Sequence, residues 1–347
     1  MRRLPIFLLL DVSESMIGTQ ITLLEEGVSK IINSLRKDPS ALETVYISII
    51  AFAGKAKVIV PLTDIVSFYP PRLPIGGGTS LGMALDVLMR EINKQVVKQT
   101  TTEKGDWKPI VFLFTDGVPT DNPGKAIEQW NKEYSSFTTM VAVALGDSAD
   151  TSVLKKITND VLLYDGNSEE DFYKFIEWVS NSIKTQSKKL DSNQDNSGID
   201  LTKTTDNLMI VEDNEFSIVE PTSVIFTGRC SNKRLPYLVK YSKRKTLKSL
   251  EKYFNQNPYN LEGCFPISED YFNWSSEHNQ INNIKVSSLR GTPSCPHCNN
   301  SIAFASCGFC NKIICISGEG RTICPWCNKE NEFVYTNDDF NIQRGEG

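Results

Sequence analysis

"LLLDVSESMIG", residues 8–18, decides the fold. The mostly apolar run Leu4–Leu10 stops at an acid, and the pattern Asp11-x-Ser13-x-Ser15 follows it. A solid apolar run of this length reads as a strand covered on both faces. The opening "MRRLPIFLLL" mimics a secretory leader. Its apolar part sits at the short limit for one, and the polar "DVSES" offers no small-residue cleavage site. The segment is read as a buried strand of the mature fold, ending in a cluster of oxygen donors.

Working outward, strand and helix alternate over residues 1–185. Ile21, Leu24, Val28, Ile31 and Leu35 recur at helical spacing. "VYISIIAF" (45–52) is a second buried strand, and Leu81, Leu85, Leu88, Ile92 and Val96 mark a second amphipathic helix. "IVFLFT" (110–115) and "MVAVAL" (140–145) are further strands, with a helix around Ile127, Trp130 and Tyr134 between them. Phe172, Phe175, Val179 and Ile183 mark a last helix. This alternation predicts an α/β fold, a doubly wound, mostly parallel sheet with helices on both faces. Residues 186–205 lack apolar material and read as a flexible linker. From 206 to 347 strand-like runs such as "VIFTG" and "LPYLVKYS" are broken by turn residues, which predicts a smaller β-rich, zinc-ribbon-like domain. The tail after Tyr335 is expected to fray.

In an open parallel sheet, ligands bind beyond the carboxyl ends of the strands. Three loops meet that condition: Asp11, Ser13 and Ser15 after the first strand, Thr79 in "PIGGGTSLG" (74–82), and Asp116 in "FLFTDGVPTD" (112–121). Two carboxylates and three hydroxyls are hard donors that suit Mg²⁺, or Mn²⁺ or Ca²⁺. Gly76, Gly77 and Gly78 let the backbone turn tightly there. If neutral hydroxyls contact the ion, it keeps much of its charge and attracts a carboxylate from another molecule. That is a binding device. Catalysis would need a base or nucleophile, and residues 1–185 contain no histidine.

Asp11-x-Ser13-x-Ser15, Thr79 in "GGGTS" and Asp116 in "TDGVPTD" together resemble the von Willebrand factor A family. The resemblance implies that these five residues form a metal-ion-dependent adhesion site on a doubly wound α/β sheet, over about residues 1–185.

Seven of the nine cysteines lie between Cys295 and Cys327, mostly in C-x-x-C pairs. An odd total in this pattern reads as metal binding in a reducing, cytoplasmic setting rather than a disulfide framework. The first and last pairs share the form Cys-Pro-x-Cys-Asn. The first choice is therefore a structural zinc on Cys295, Cys298, Cys324 and Cys327, with Cys307, Cys310 and Cys315 available for a second zinc that lacks a fourth ligand. An alternative joins Cys295 and Cys298 to Cys307 and Cys310, and an iron–sulfur cluster is the chemical rival. His297 is read as facing solvent, and Cys230 and Cys264 as buried apolar thiols.

The succession of an A-type domain, a linker and then "VIFTGRC", "LRGTPSCPHC" and "GEGRTICPWC" resembles the TerY-like proteins of tellurite resistance and stress response. That resemblance implies a scaffold role beside a serine/threonine kinase and a PP2C-type phosphatase.

Composition narrows the classes. The chain has 347 residues, 40% hydrophobic and 23% charged, with net charge −5. The acidic balance argues against a protein devoted to gripping nucleic acid. No segment approaches the ~20 apolar residues of a membrane helix. The reading is a non-enzymatic, metal-dependent protein-binding module whose ion accepts an acidic side chain from a partner. The alternatives are a nucleic-acid-binding stress protein acting through the zinc domain and its basic run "KYSKRKTLKSLEK" (240–252), and, more distantly, a two-metal phosphohydrolase recruiting Asp64 and Asp121.

Overall fold

The computed structural model describes residues 2–102, 104–116, 118–145, 151–164, 169–191, 208–210, 223–243, 258–276, 283–334 and 341–343. Two compact units divide the chain: Met1–Pro74 with Thr79–Val219, and Ile75–Gly78 with Glu220–Gly347.

The first unit contains strands β1 (Leu4–Asp11), β2 (Val45–Phe52), β3 (Ala56–Asp64), β4 (Ile110–Thr115), β5 (Thr139–Leu145), β6 (Val161–Tyr164) and β7 (Leu208–Ile210). Its helices are α1 (Thr19–Leu35), α2 (Pro39–Thr44), α3 (Leu81–Gln95), α4 (Gly124–Glu133), α5 (Thr151–Lys155) and α6 (Glu169–Asp191). The sheet order is β3-β2-β1-β4-β5-β6-β7. Every pairing is parallel except those of β3 and β7 at the two edges.

All eight residues of β1 are buried, as a central strand requires. Because successive side chains alternate faces, β1 feeds two cores. Ile6, Leu8 and Leu10 pack with residues of α1 and α6. Phe7 and Leu9 pack with residues of α3 and α4. This is the doubly wound sheet that the alternation predicts. The antiparallel β3 carries mixed burial and no solid apolar run, so its edge position left little trace in the sequence.

Two boundaries move. The expected linker begins as helix, because α6 continues to Asp191. Its polar residues are held by tertiary partners. Ser187 is fully buried and shares a 2.6 Å hydrogen bond with Thr44. Lys188 pairs with Asp38 at 2.8 Å. The second boundary is that expected at 206: β7 belongs to the first sheet, where it covers the outer edge of β6. The main part of the second unit runs from Glu220.

That unit contains β8 (Ser223–Arg229), β9 (Pro236–Lys243), β10 (Tyr259–Pro266), α7 (Tyr271–Trp274), β11 (Asn283–Lys285), β12 (Leu289–Arg290), β13 (Ile302–Ser306), β14 (Ile313–Ile316), β15 (Gly320–Ile323), β16 (Glu330–Phe333) and β17 (Asn341–Gln343). Six strands form one sheet in the order β12-β10-β9-β8-β14-β13. Its core is aromatic. Phe226 meets Phe304 edge to face at 4.8 Å, and Tyr237 is fully buried with its hydroxyl donating to Ala303 O at 2.8 Å. The tail does not simply fray, since β17 pairs antiparallel with β11. Residues 335–340, and 244–252 of the basic run, lie outside the described residues.

Candidate metal centres

The oxygen site stands where the sheet reverses direction of build. β1 has β2 on one side and β4 on the other, so the carboxyl ends of β1 and β4 flank the topological switch point. Asp11 is the last residue of β1, and Asp116 follows the last residue of β4. After Asp11 the chain makes one 3₁₀ turn, Glu14–Met16, which presents Ser13 and Ser15 together.

The cluster is closely bonded. Ser15 Oγ donates to Asp116 Oδ1 at 2.8 Å, Ser13 Oγ lies 2.9 Å from Ser15 Oγ, and Ser13 Oγ reaches Asp116 Oδ1 at 3.5 Å. Asp11 Oδ1 accepts the Ser13 N–H at 2.9 Å, and Asp11 Oδ2 accepts from Thr115 Oγ1 at 2.6 Å. Thr79 stands on the neighbouring loop. Its N–H donates to Thr120 Oγ1 at 2.8 Å, and its carbonyl accepts the Thr120 N–H at 2.9 Å. Gly78, at φ +92°, supplies the left-handed turn just before it. Asp11, Ser13, Thr79 and Asp116 are all buried.

The electrostatics disfavour two bare negative charges at this point. Burial pushes the Asp11 carboxyl up to about 7, and the nearby charge of Asp116 adds to the shift against hydrogen bonds from Thr115 and Ser13. Two carboxylates and a fan of hydroxyls at one buried point are a donor set for a hard divalent ion. Asp64 and Asp121 are used elsewhere. Asp64 Oδ1 accepts the Val66 and Ser67 N–H groups in a turn, and Asp121 Oδ2 accepts the Met83 N–H at 3.2 Å.

The cysteines form two four-sulfur clusters, Cys230/Cys295/Cys298/Cys315 and Cys307/Cys310/Cys324/Cys327, each with its sulfurs within 4.8 Å of one another. The sulfurs of Cys298 and Cys315, of Cys307 and Cys327, and of Cys310 and Cys324 lie 3.7 Å apart. A tetrahedral zinc with Zn–S of ~2.3 Å sets its sulfurs about 3.8 Å apart. All nine cysteines are free of disulfides.

Neither grouping drawn from spacing is formed. The first choice, Cys295/Cys298 with Cys324/Cys327, is split between the clusters, and so is the alternative with Cys307/Cys310. The reason is strand pairing. β14 lies beside β8, which brings Cys315 to Cys230, one residue past the end of β8. The β15–β16 hairpin turns Cys324 and Cys327 toward the knuckle of Cys307 and Cys310.

Each C-x-x-C pair makes the same turn. The N–H of the residue after the pair donates to the first cysteine's carbonyl, in Asn299→Cys295, Asn311→Cys307 and Asn328→Cys324. Those asparagines all have φ near +60°, a conformation asparagine tolerates better than most residues. Cys230 opens a fourth turn of this shape. The Arg234 N–H donates to Cys230 O at 2.8 Å, the Cys230 N–H donates to Leu235 O, and Arg234 has φ +58°. Lys233 occupies the place of the second cysteine, and Cys315 supplies the missing sulfur. Backbone N–H groups of Ser231 and Lys233 point at Cys315 and Cys230 sulfurs at 3.2 and 3.3 Å. Cys230 is thus a cluster member and not an isolated apolar thiol, while Cys264 stands outside both clusters. His297 is partly buried, with Nε2 2.8 Å from Pro236 O, so it is neither a ligand nor simply solvent-facing.

The von Willebrand factor type A domain matches residues 6–187. The chain belongs to the von Willebrand factor A family. The TerY-C metal binding domain matches residues 220–347, so the pairing of domains is that of a TerY-like protein.

Solved structures resemble about half of the chain. One is the von Willebrand factor type A protein from Catenulispora acidiphila, 15% identical over 52% of this chain and 42% of that one, with a TM-score of 0.40. The pilus adhesin SpaC from Lactobacillus rhamnosus GG is 16% identical over 54% and 30%, with a TM-score of 0.44. Proximal thread matrix protein 1 from the mussel byssus, with a zinc-occupied MIDAS motif, is 20% identical over 54% and 46%, with a TM-score of 0.38. The chain spans less than half the length of these three proteins.

The A domain's oxygen cluster is legible because Asp11, Ser13, Ser15 and Asp116 follow the ends of β1 and β4 in fixed order. Cys230 is not, since the sequence around it shows no second cysteine. The signal that could have found it is the shortage of a fourth ligand beside Cys315. The comparisons support a metal-binding interaction module. Among the described residues no helix is long and apolar enough to cross a membrane.

Proposed function

We propose that the chain is a non-enzymatic scaffold that captures an acidic partner protein through a divalent ion, Mg²⁺ by first choice, at the adhesion site of its A domain. The observation that carries this reading is the bonded cluster of Asp11, Ser13, Ser15 and Asp116 at the switch point. Ser13 and Ser15 offer neutral oxygens, Thr79 stands on the adjoining loop, and the carboxylates balance part of the charge. The ion, when bound, supplies a Lewis-acidic position for an incoming carboxylate. The cysteine clusters take zinc in this reading. Four thiolates leave no open position, so these ions serve folding, as expected for a small domain with a thin core.

Eight thiols gathered as ligands fit a reducing compartment, and we place the protein in the cytoplasm. A role in tellurite resistance or stress response, beside a serine/threonine kinase and a PP2C-type phosphatase, rests on the TerY-like pairing of domains. The nucleic-acid alternative is disfavoured by Trp326. Arg229 and Lys312 both lie 4.5 Å from its ring centroid, and its Nε1 donates to Ile313 O, so the ring is already engaged.

The test is partner capture from native cytoplasm in Mg²⁺ buffer with wild-type and Asp11→Ala baits. A chelator is a poor control because it strips zinc as well. A protein retained by wild type and lost by the variant supports the reading. The same partner retained equally by both overturns it.

A further inference from the structure

Between β3 and Gly76 the chain reads Phe68-Tyr69-Pro70-Pro71-Arg72-Leu73-Pro74. Proline fixes its own φ near −65°, and the residue before a proline is confined to extended or polyproline II backbone. Tyr69, Pro70, Pro71, Leu73 and Pro74 each fall under one or both constraints, which leaves only Phe68 and Arg72 free. No peptide bond here is cis. The segment carries neither helix nor strand. Polyproline II repeats every three residues, which would put Phe68 in line with Pro71 and Pro74, and Tyr69 in line with Arg72. Phe68 is fully buried, with Pro71 and Pro74 half-buried on the same side. Tyr69 and Arg72 share the opposite side and are exposed, Tyr69 to 80%, and Pro70 between them is exposed too.

Both ends of the segment are fastened. The Arg36 guanidinium donates to the carbonyls of Ile65, Val66 and Phe68. At the other end the Leu73 N–H donates to Glu25 Oε1 at 2.7 Å, and Leu73 packs on the core. A cleft of about 450 Å³ runs alongside, lined by Glu25, Glu26, Ser29 and Lys30 of α1 and by Pro70, Pro71 and Arg72. The molecule therefore holds a short, stiff, accessible ridge in one conformation, with room beside it.

We propose that Tyr69–Arg72 is a polyproline II docking ridge for a partner domain with an aromatic-lined groove and an acidic rim. The groove takes Tyr69 and Pro70, and the rim's carboxylate pairs with Arg72. Such grooves exploit a ligand whose backbone entropy is already spent. Here the anchors at Arg36 and Glu25 supply that ordering. The positive charge of Arg72, on the same side as Tyr69, selects an acidic rim over a neutral one. This surface is separate from the ion site and does not depend on the capture mechanism proposed for it.

The test titrates the full, zinc-loaded chain against a panel of purified SH3 and WW domains, followed by fluorescence anisotropy. At least one domain is expected to bind, and Pro70→Ala with Arg72→Glu is expected to weaken that binding at least tenfold. The melting temperature should hold, since both side chains are exposed. Asp11→Ala should leave this binding unchanged, which separates it from the ion site. A panel in which no domain binds wild type, or in which binders hold the double variant equally well, overturns the proposal.

Discussion

Thr115 Oγ1 donates to Asp11 Oδ2 at 2.6 Å, joining the ends of two neighbouring parallel strands, β1 and β4. Leu10 and Phe114 are register partners, so Asp11 and Thr115 arrive side by side. The bond fixes one Asp11 oxygen while the Ser13 N–H fixes the other. A buried carboxylate held in this way cannot swing out to water.

That relationship predicts pH dependence. Asp11 titrates near 7 in the metal-free fold, raised above its ordinary value by burial and then by Asp116. A raised carboxyl pKa means that the metal-free fold is stabilised by the proton, and that this contribution fades as pH rises from about 4 through about 7. Mg²⁺ must compete with that proton. Its affinity should rise with pH and level off above about 7, measured by calorimetry on the zinc-loaded chain. Asp11→Asn should bind weakly at every pH, with the rise removed.

Metal content tests the sulfur grouping. Wild type should hold two zinc ions per chain by elemental analysis. Cys230→Ser should lose one of them, because it breaks the Cys230/Cys295/Cys298/Cys315 cluster. Cys264→Ser should keep both. Stoichiometric iron with visible absorption would refute the zinc assignment.

Packing in the second unit makes a stability prediction. Gly228 lies opposite Tyr237 across β8 and β9, and a Cβ there would sit 2.3 Å from the Tyr237 ring. Gly228→Ala must push that ring aside, at a cost of about 1–3 kcal/mol by denaturant melts. Tyr237→Phe leaves Ala303 O without its buried donor, which costs about 1–3 kcal/mol.

A nucleic-acid role would appear as salt-dependent binding. Oligonucleotide titrations of the full chain are expected to show none at physiological salt, because the Trp326 ring is already engaged by Arg229 and Lys312.

Much of this is readable in the sequence. The apolar runs of β1, β2 and β4 announced buried parallel strands, and Asp11, Ser13, Ser15 and Asp116 could be placed at their ends. What escaped notice was tertiary. Strand β3 is an edge with mixed burial, so no solid run marked it. The start of the supposed linker is helix because Thr44 and Asp38 hold Ser187 and Lys188. Sulfur grouping depends on which strands neighbour each other. Equal C-x-x-C turns carry no record of that, and Cys230 reaches its cluster only through the pairing of β8 with β14.

The most direct test of the adhesion site is a calorimetric Mg²⁺ titration of the zinc-loaded chain at pH 7.5 beside Asp116→Ala, with zinc content confirmed equal in both. One Mg²⁺ per wild-type chain, and none detectable for the variant, is the predicted result. Indistinguishable titrations would contradict it, and would leave Asp11, Ser13, Ser15 and Asp116 as a hydrogen-bonded strand junction and nothing more.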